Sequence, residues 1–291
     1  MQDRAPDATA DAHLGPKRLL VPLLGDNADR DSLHTAAHLA QRFASRVDGL
    51  YLPRLVSDIL PYSAYGVGGF AWSQDMIAQV EDNNRQSLER ARQAFDTLLA
   101  GDGGAMRGRW IEGGTAGAQP LGDIGRFYDL IITTRSGDTP DSFRRNLLEA
   151  ALFDCARPAL AVPQGLSSAS FGQRVAIAWN GGSQAMRAVI AGLPFLTAAQ
   201  QVTAVQLVDP DARDDLDALA GYLDAHNIPL TRERLDETGR VGERLVAAFE
   251  EIGADMVIMG AYGHSRMREW VFGGVTEYFL DSCALPMLFA H

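Results

Sequence analysis

The sequence predicts an α/β protein made of two tandem, doubly wound domains, each with a parallel five-stranded sheet. Three observations carry this prediction. The chain has 291 residues, about twice the length of a common domain. Short continuous apolar runs alternate with longer stretches of helical spacing, the pattern of parallel strands buried on both faces and linked by helices. Unrelated landmarks also recur at a nearly constant offset of 125 to 128 residues, which marks an internal repeat.

Each element can be read in order. The first copy opens with the apolar run Leu19-Leu20-Val21-Pro22-Leu23-Leu24, stopped by Gly25-Asp26-Asn27. Helical spacing follows through Leu33, Ala36, Leu39, Ala40 and Phe43, and a second strand reads Val47 to Leu52. The second copy repeats this with Val175-Ala176-Ile177-Ala178-Trp179, the turn Asn180-Gly181-Gly182, and a helical pattern through Met186, Val189, Ile190, Leu193 and Leu196. Its second strand reads Val202 to Val208. Gly114-x-x-Gly117 and Gly239-x-x-Gly242 each precede an amphipathic helix, Asp129 and Asp255 each open a buried strand, and Cys155 and Cys283 each precede a proline-containing apolar strand. Both copies therefore read β-α-β-α-β-α-β-α-β. The first is longer because of a Gly-, Tyr- and Pro-rich stretch at 53–73, followed by a charged helix over about 74–99. The expected organisation is a polar tail at 1–16, domain 1 at 17–163, a small, polar linker at 164–172 and domain 2 at 173–291.

Composition narrows the function classes. Apolar residues make up 46% and charged residues 22%, enough to build real cores. A net charge of −11 without a Lys/Arg cluster argues against nucleic acid and anionic membranes as partners. No apolar run is long enough to span a bilayer and no secretory leader is visible, so a cytoplasmic location is expected. The two cysteines are too few for a disulfide framework and read as small apolar core residues. His34 and His38 lie four apart on a helix but have no evident third metal ligand. The run Arg213-Asp214-Asp215-Leu216-Asp217 reads as a solvated helix face. Trp179 is the one tryptophan at a strand end of interest.

Open α/β sheets bind ligands beyond the carboxyl ends of their strands. In the second copy the fourth strand runs straight into Gly260-Ala-Tyr-Gly263, and nine residues later Gly273-Gly274-Val275-Thr276 opens a helix. Glycines leave backbone N–H groups uncovered and a helix N-terminus carries partial positive charge, a combination suited to a phosphate chain. His264, Arg266 and Arg268 add a local basic excess. The spacing Gly260-x2-Gly263-x9-Gly273 closely resembles the nucleotide-binding signature of the universal stress proteins, and the rest of the chain is similar to a tandem member of that family.

The resemblance implies an adenine nucleotide alpha hydrolase-like fold, with two domains packed as a pseudo-dimer through their last strands and a homodimer as a further option. It implies ATP, or AMP or ADP, accompanied by Mg, as the ligand. Carried across by position, Ala178, Trp179 and Asn180 follow the first strand of domain 2 and Leu207 marks the adenine contact on the second. Gly260, Gly263, Gly273, Gly274, Val275 and Thr276 surround the phosphates. Two residues depart from the family pattern: Gly274 stands for a Ser or Thr, a loss of one hydrogen bond worth ~1 kcal/mol, and Asn180 stands for an Asp.

Domain 1 lacks the signature. Thr133-Thr134-Arg135-Ser136-Gly137 ends its fourth strand, Arg145-Asn146-Leu147-Leu148 takes the place of Gly273 to Thr276, and Leu24 stands where a polar ribose contact would be. Domain 1 is therefore expected to be structural or to take another ligand, with Arg135, Arg144 and Arg145 in a solvated basic loop. Asn180-Gly181-Gly182-Ser183 only partly matches the Ser-Gly-Gly-x-Asp-Ser loop of pyrophosphate-releasing ATPases. Walker A, Gly-x-Gly-x-x-Gly and Gly-x-Ser-x-Gly patterns are missing at the expected places. The sequence thus points to a stress protein that holds a nucleotide as a signal or structural ligand with at most slow hydrolysis, or else to a nucleotide-free interaction module of the same fold.

Overall fold

In the computed structural model, residues 15–54, 74–100, 106–114, 118–135, 142–166, 171–208, 215–236, 240–261 and 274–291 are described. Domain 1 contains β1 (Arg18–Leu23), α1 (Asp29–Phe43), β2 (Arg46–Tyr51), α2 (Gln74–Leu98), β3 (Arg107–Glu112), α3 (Gln119–Gly125), β4 (Leu130–Thr134), α4 (Ser142–Glu149) and β5 (Ala159–Val162). A π-helical turn, Ala150–Asp154, extends α4. Domain 2 contains β6 (Arg174–Trp179), α5 (Ser183–Thr197), β7 (Gln201–Val208), α6 (Leu216–Asp224), β8 (Leu230–Asp236), α7 (Val241–Glu251), β9 (Met256–Gly260), α8 (Gly274–Ser282) and β10 (Met287–Ala290). The predicted alternation holds in both copies. Residues 55–73 of the 53–73 insertion and the middle of the linker, 167–170, lie outside the described residues.

Among the described residues the strands form one ten-stranded sheet, ordered β3-β2-β1-β4-β5-β10-β9-β6-β7-β8. Pairing is parallel within each half. The halves join where β5 meets β10 antiparallel, Leu160 opposite Leu288 and Ala159 opposite Phe289. Each half is doubly wound: its order reverses between β1 and β4, or β6 and β9, which opens a crevice at the carboxyl ends of those strands. The edge strands β3 and β8 carry the charged sequences RGRWIE and LTRERLD, a common protection against edge-to-edge pairing.

The repeated aspartates explain part of this register. Asp129 accepts the backbone N–H groups of Lys17 and Arg18 (2.8 and 2.9 Å), fixing the start of β1 against β4. Asp255 does the same for β6, accepting from Gly172, Gln173 and Arg174 at 2.9 to 3.1 Å. A carboxylate taking several N–H groups satisfies donors that would otherwise be orphaned at a strand end.

Alternation along the strands sends side chains to two layers. Val21, Leu23, Ile177 and Trp179 pack under α1, α2, α5 and α6, whereas Leu20, Ile131, Val205 and Val257 pack under α3, α4, α7 and α8. The first layer crosses the seam between the halves through Phe43 and Phe195, edge to face at 5.4 Å. The linker is less neutral than its composition suggests. Phe171 is buried beside His38, and the Gly165 N–H donates to Asp31. Phe195→Ala removes a fully buried ring from the seam and is expected to cost about 3–5 kcal/mol of unfolding free energy, measurable by urea denaturation.

Candidate functional site

The strand ends of domain 2 are built from a tight turn. Asn180 accepts the Gly182 N–H through Oδ1 (3.0 Å), and Gly181 takes φ +70°, a left-handed conformation that favours glycine. A Cβ on Gly181 would also lie 2.8 Å from Asp215 Oδ2. Trp179 is 7% exposed and faces the α5/α6 layer, its indole N–H donating to Asp215 at 2.6 Å. Asp215 is therefore committed to holding the β6 end. This corrects its reading as part of a solvated helix face, although its neighbour Asp217 is exposed and pairs with the surface residue Arg232. Ala178 and Leu207 point to the other face, toward the α7/α8 layer, where both are half-buried.

The glycine signature is divided. Gly260 ends β9, and a Cβ there would come within 2.4 Å of the Ala185 backbone nitrogen. Close packing of β9 against the first turn of α5 thus requires glycine at this position, independently of any ligand. Gly274, Val275 and Thr276 form the first helical residues of α8, where N–H groups have no intrahelical acceptor. Thr276 is buried. Gly263 and Gly273 lie outside the described residues, as do His264, Arg266 and Arg268. What the described residues offer a nucleotide is the exposed Asn180 side chain, the half-buried pair Ala178 and Leu207, and the opening turn of α8. Trp179 has its polar atom already engaged.

The equivalent strand ends of domain 1 are filled by the protein itself. Asp29, 1% exposed, accepts the N–H groups of Leu24 (3.0 Å) and Gly25 (2.7 Å). The guanidinium of Arg144 reaches from α4 to Asp26 and, at 3.5 Å, to Asp29. From α2, Arg90 Nε donates to the Gly25 carbonyl (2.8 Å), while the Tyr51 hydroxyl donates to the Asn84 carbonyl (2.7 Å). Leu24 is buried. The solvated basic loop expected from the sequence is not what Arg135, Arg144 and Arg145 form. Arg135 and Arg144 are buried, and Arg145 pairs with Glu277 (3.1 Å) and Asp281 (3.4 Å) of α8. The reason is long-range: their partners lie more than a hundred residues away in sequence.

Cys155 and Cys283 are buried, and burial pushes both thiols up, Cys155 to about 12. Neither has the electropositive, accessible setting of a nucleophile.

Burial, reinforced by Asp26 and opposed by Arg144, pushes the Asp29 carboxyl up to about 6 from an ordinary 3.8. A raised carboxyl means that the folded state holds this proton more tightly than the unfolded one. Its contribution is present below pH 4 and is lost as pH rises through 6, on the order of 3 kcal/mol. Asp29→Asn keeps an acceptor for the Leu24 and Gly25 amides but cannot ionise. Compared by urea denaturation at pH 4 and pH 7, wild type is expected to lose more stability over that interval than the variant. Parallel losses in the two proteins would mean that Asp29 is not a strained ionised group.

Comparison with known proteins agrees with this architecture. Residues 173–291 match the model of the universal stress protein family. A universal stress protein of Synechocystis sp. is 23% identical over 292 aligned positions, covering 94% of this chain and 99% of that protein. The solved universal stress protein of Archaeoglobus fulgidus superposes with a TM-score of 0.67 at 15% identity, covering 94% of this chain and 95% of the other. A Pseudomonas aeruginosa structure assigned to the same family gives 0.56 at 13% identity, covering 97% and 94%. At these identities the structures speak for the fold, and the family sequence match is confined to domain 2. Residues 173–291 thus match the universal stress protein family in sequence, and the chain as a whole has the fold of solved universal stress proteins.

Proposed function

We propose that domain 2 binds ATP, or a related adenine nucleotide such as AMP or ADP, as a signal or structural ligand in a stress-response protein. The observation that carries this reading is the spacing Gly260-x2-Gly263-x9-Gly273, followed by Gly274 and Thr276, beside the strand-order reversal of β6 and β9. Ala178, Asn180 and Leu207 would hold the adenine and ribose, and the Gly274–Thr276 turn the phosphates, with Mg balancing their charge. The reading stops at binding with at most slow hydrolysis, because Asp215, the carboxylate reaching the β6 end, is taken up by the Trp179 indole and is a poor candidate for a general base. The competing reading is a nucleotide-free interaction module. It draws on domain 1, where the same fold closes its strand ends with its own side chains.

Acid extraction of the purified protein followed by nucleotide chromatography separates the two readings. An adenine nucleotide in the extract, or a calorimetric signal with ATP-Mg, is the expected result. No co-purified nucleotide and no heat at millimolar ATP-Mg favour the interaction module. Gly263→Val is expected to abolish binding while the far-UV circular dichroism stays unchanged. Wild-type affinity in that variant would mean that the phosphates sit elsewhere.

A further inference from the structure

Domain 1 lacks all but one of the signature glycines, and two of the arginines found there reach across the seam to a single helix, α8, whose first turn carries Gly274 and Thr276. Arg135, at the end of β4, donates through Nη1 to the carbonyls of Phe279 (3.0 Å) and Leu280 (2.9 Å), and through Nη2 to that of Cys283. It is buried and gathers carbonyls from the last turn of α8 and the residue just beyond it, the Phe279 carbonyl also accepting the Cys283 N–H at 3.0 Å. A cation at that end also complements the helix dipole. Arg145, from α4, meets α8 along its side, pairing with Glu277 in the first turn and Asp281 near the last.

Glu277 is the informative partner. A carboxylate in the first turn suits an isolated helix, but Glu277 directly follows Thr276 and would repel phosphates held at that turn. Arg145 offsets that charge from the other domain.

We propose that Arg135 and Arg145 are positioning residues for the nucleotide site of domain 2. Arg135 fixes α8 by its carboxyl end, Arg145 neutralises Glu277 at its amino end, and the phosphate affinity of domain 2 therefore depends on domain 1. This inference rests on the nucleotide-binding reading above. It concerns the ligand's phosphates more than its base, so ATP should feel the loss of Arg145 more than AMP.

The test is a set of calorimetric titrations of full-length protein with ATP-Mg and with AMP at low ionic strength, where exposed charges are least screened. Arg145→Ala is expected to weaken ATP about fivefold, within the usual range of coupling between sites, and AMP much less. Adding Glu277→Gln to Arg145→Ala is expected to restore the ATP affinity, which a purely structural role for Arg145 does not explain. Arg135→Met is expected to weaken ATP at least as much, with partial recovery in Arg135→Lys; should Arg135→Met fail to fold, the Arg145 and Glu277 cycle decides. Folded variants that bind ATP as wild type does, or equal losses for ATP and AMP without recovery by Glu277→Gln, overturn the proposal and leave the nucleotide site standing. A wild-type protein that binds neither ligand overturns both.

Discussion

The antiparallel pairing of β5 with β10 is the contact on which the rest of the molecule depends. Both strands are only four residues long, and every residue of each is buried. Their backbone groups could be left unpaired only at a high cost, so the two five-stranded halves complete each other at this line. Above the seam, Phe43 meets Phe195; below it, Arg135 and Arg145 of domain 1 hold α8 of domain 2. An apolar contact on one face and a charged one on the other lock the relative placement of the halves more tightly than a four-residue ladder alone.

The two halves place crevices at equivalent strand ends, and the two differ in chemical character. In domain 1, Asp29 and Arg144 bring opposite charges into a buried space and α2 covers the end of β1. The strand ends are thereby held by fixed internal partners, at the expense of a carboxyl that burial keeps well above its ordinary value. In domain 2 the equivalent turn is uncharged and, among the described residues, more open, with Asn180 exposed and Ala178 and Leu207 half-buried. The nucleotide site proposed for domain 2 needs such an opening, which internal closure of the kind seen in domain 1 excludes.

Much of the fold was legible in the sequence, because it rests on local signals. Apolar runs, helical spacing and turn glycines gave the element order, and Asp129 and Asp255 recurred because each fastens the start of a first strand through two or three backbone amides. The partners of long side chains were not legible. Arg135 and Arg145 stand in a run that reads as a surface loop, and only the seam reveals that their acceptors sit on the other domain. Asp215 lies in a charge run, and its bond to the Trp179 indole requires α6 to begin beneath the end of β6. Gly260 was read from a nucleotide motif, yet its neighbours show that close packing on α5 is by itself enough to require glycine. A motif glycine can therefore be required by the fold whether or not a ligand binds, and the proposed phosphate site rests more on Gly263 and the α8 turn than on Gly260.

The central claim is that two topologically equivalent crevices yield one ligand site. Binding stoichiometry tests it most directly. Native mass spectrometry of the full-length protein with excess ATP-Mg should show one nucleotide per chain, lost in Gly263→Val. Two nucleotides per chain would contradict the closure of domain 1 by Asp29 and Arg144, and none would contradict the site assigned to domain 2.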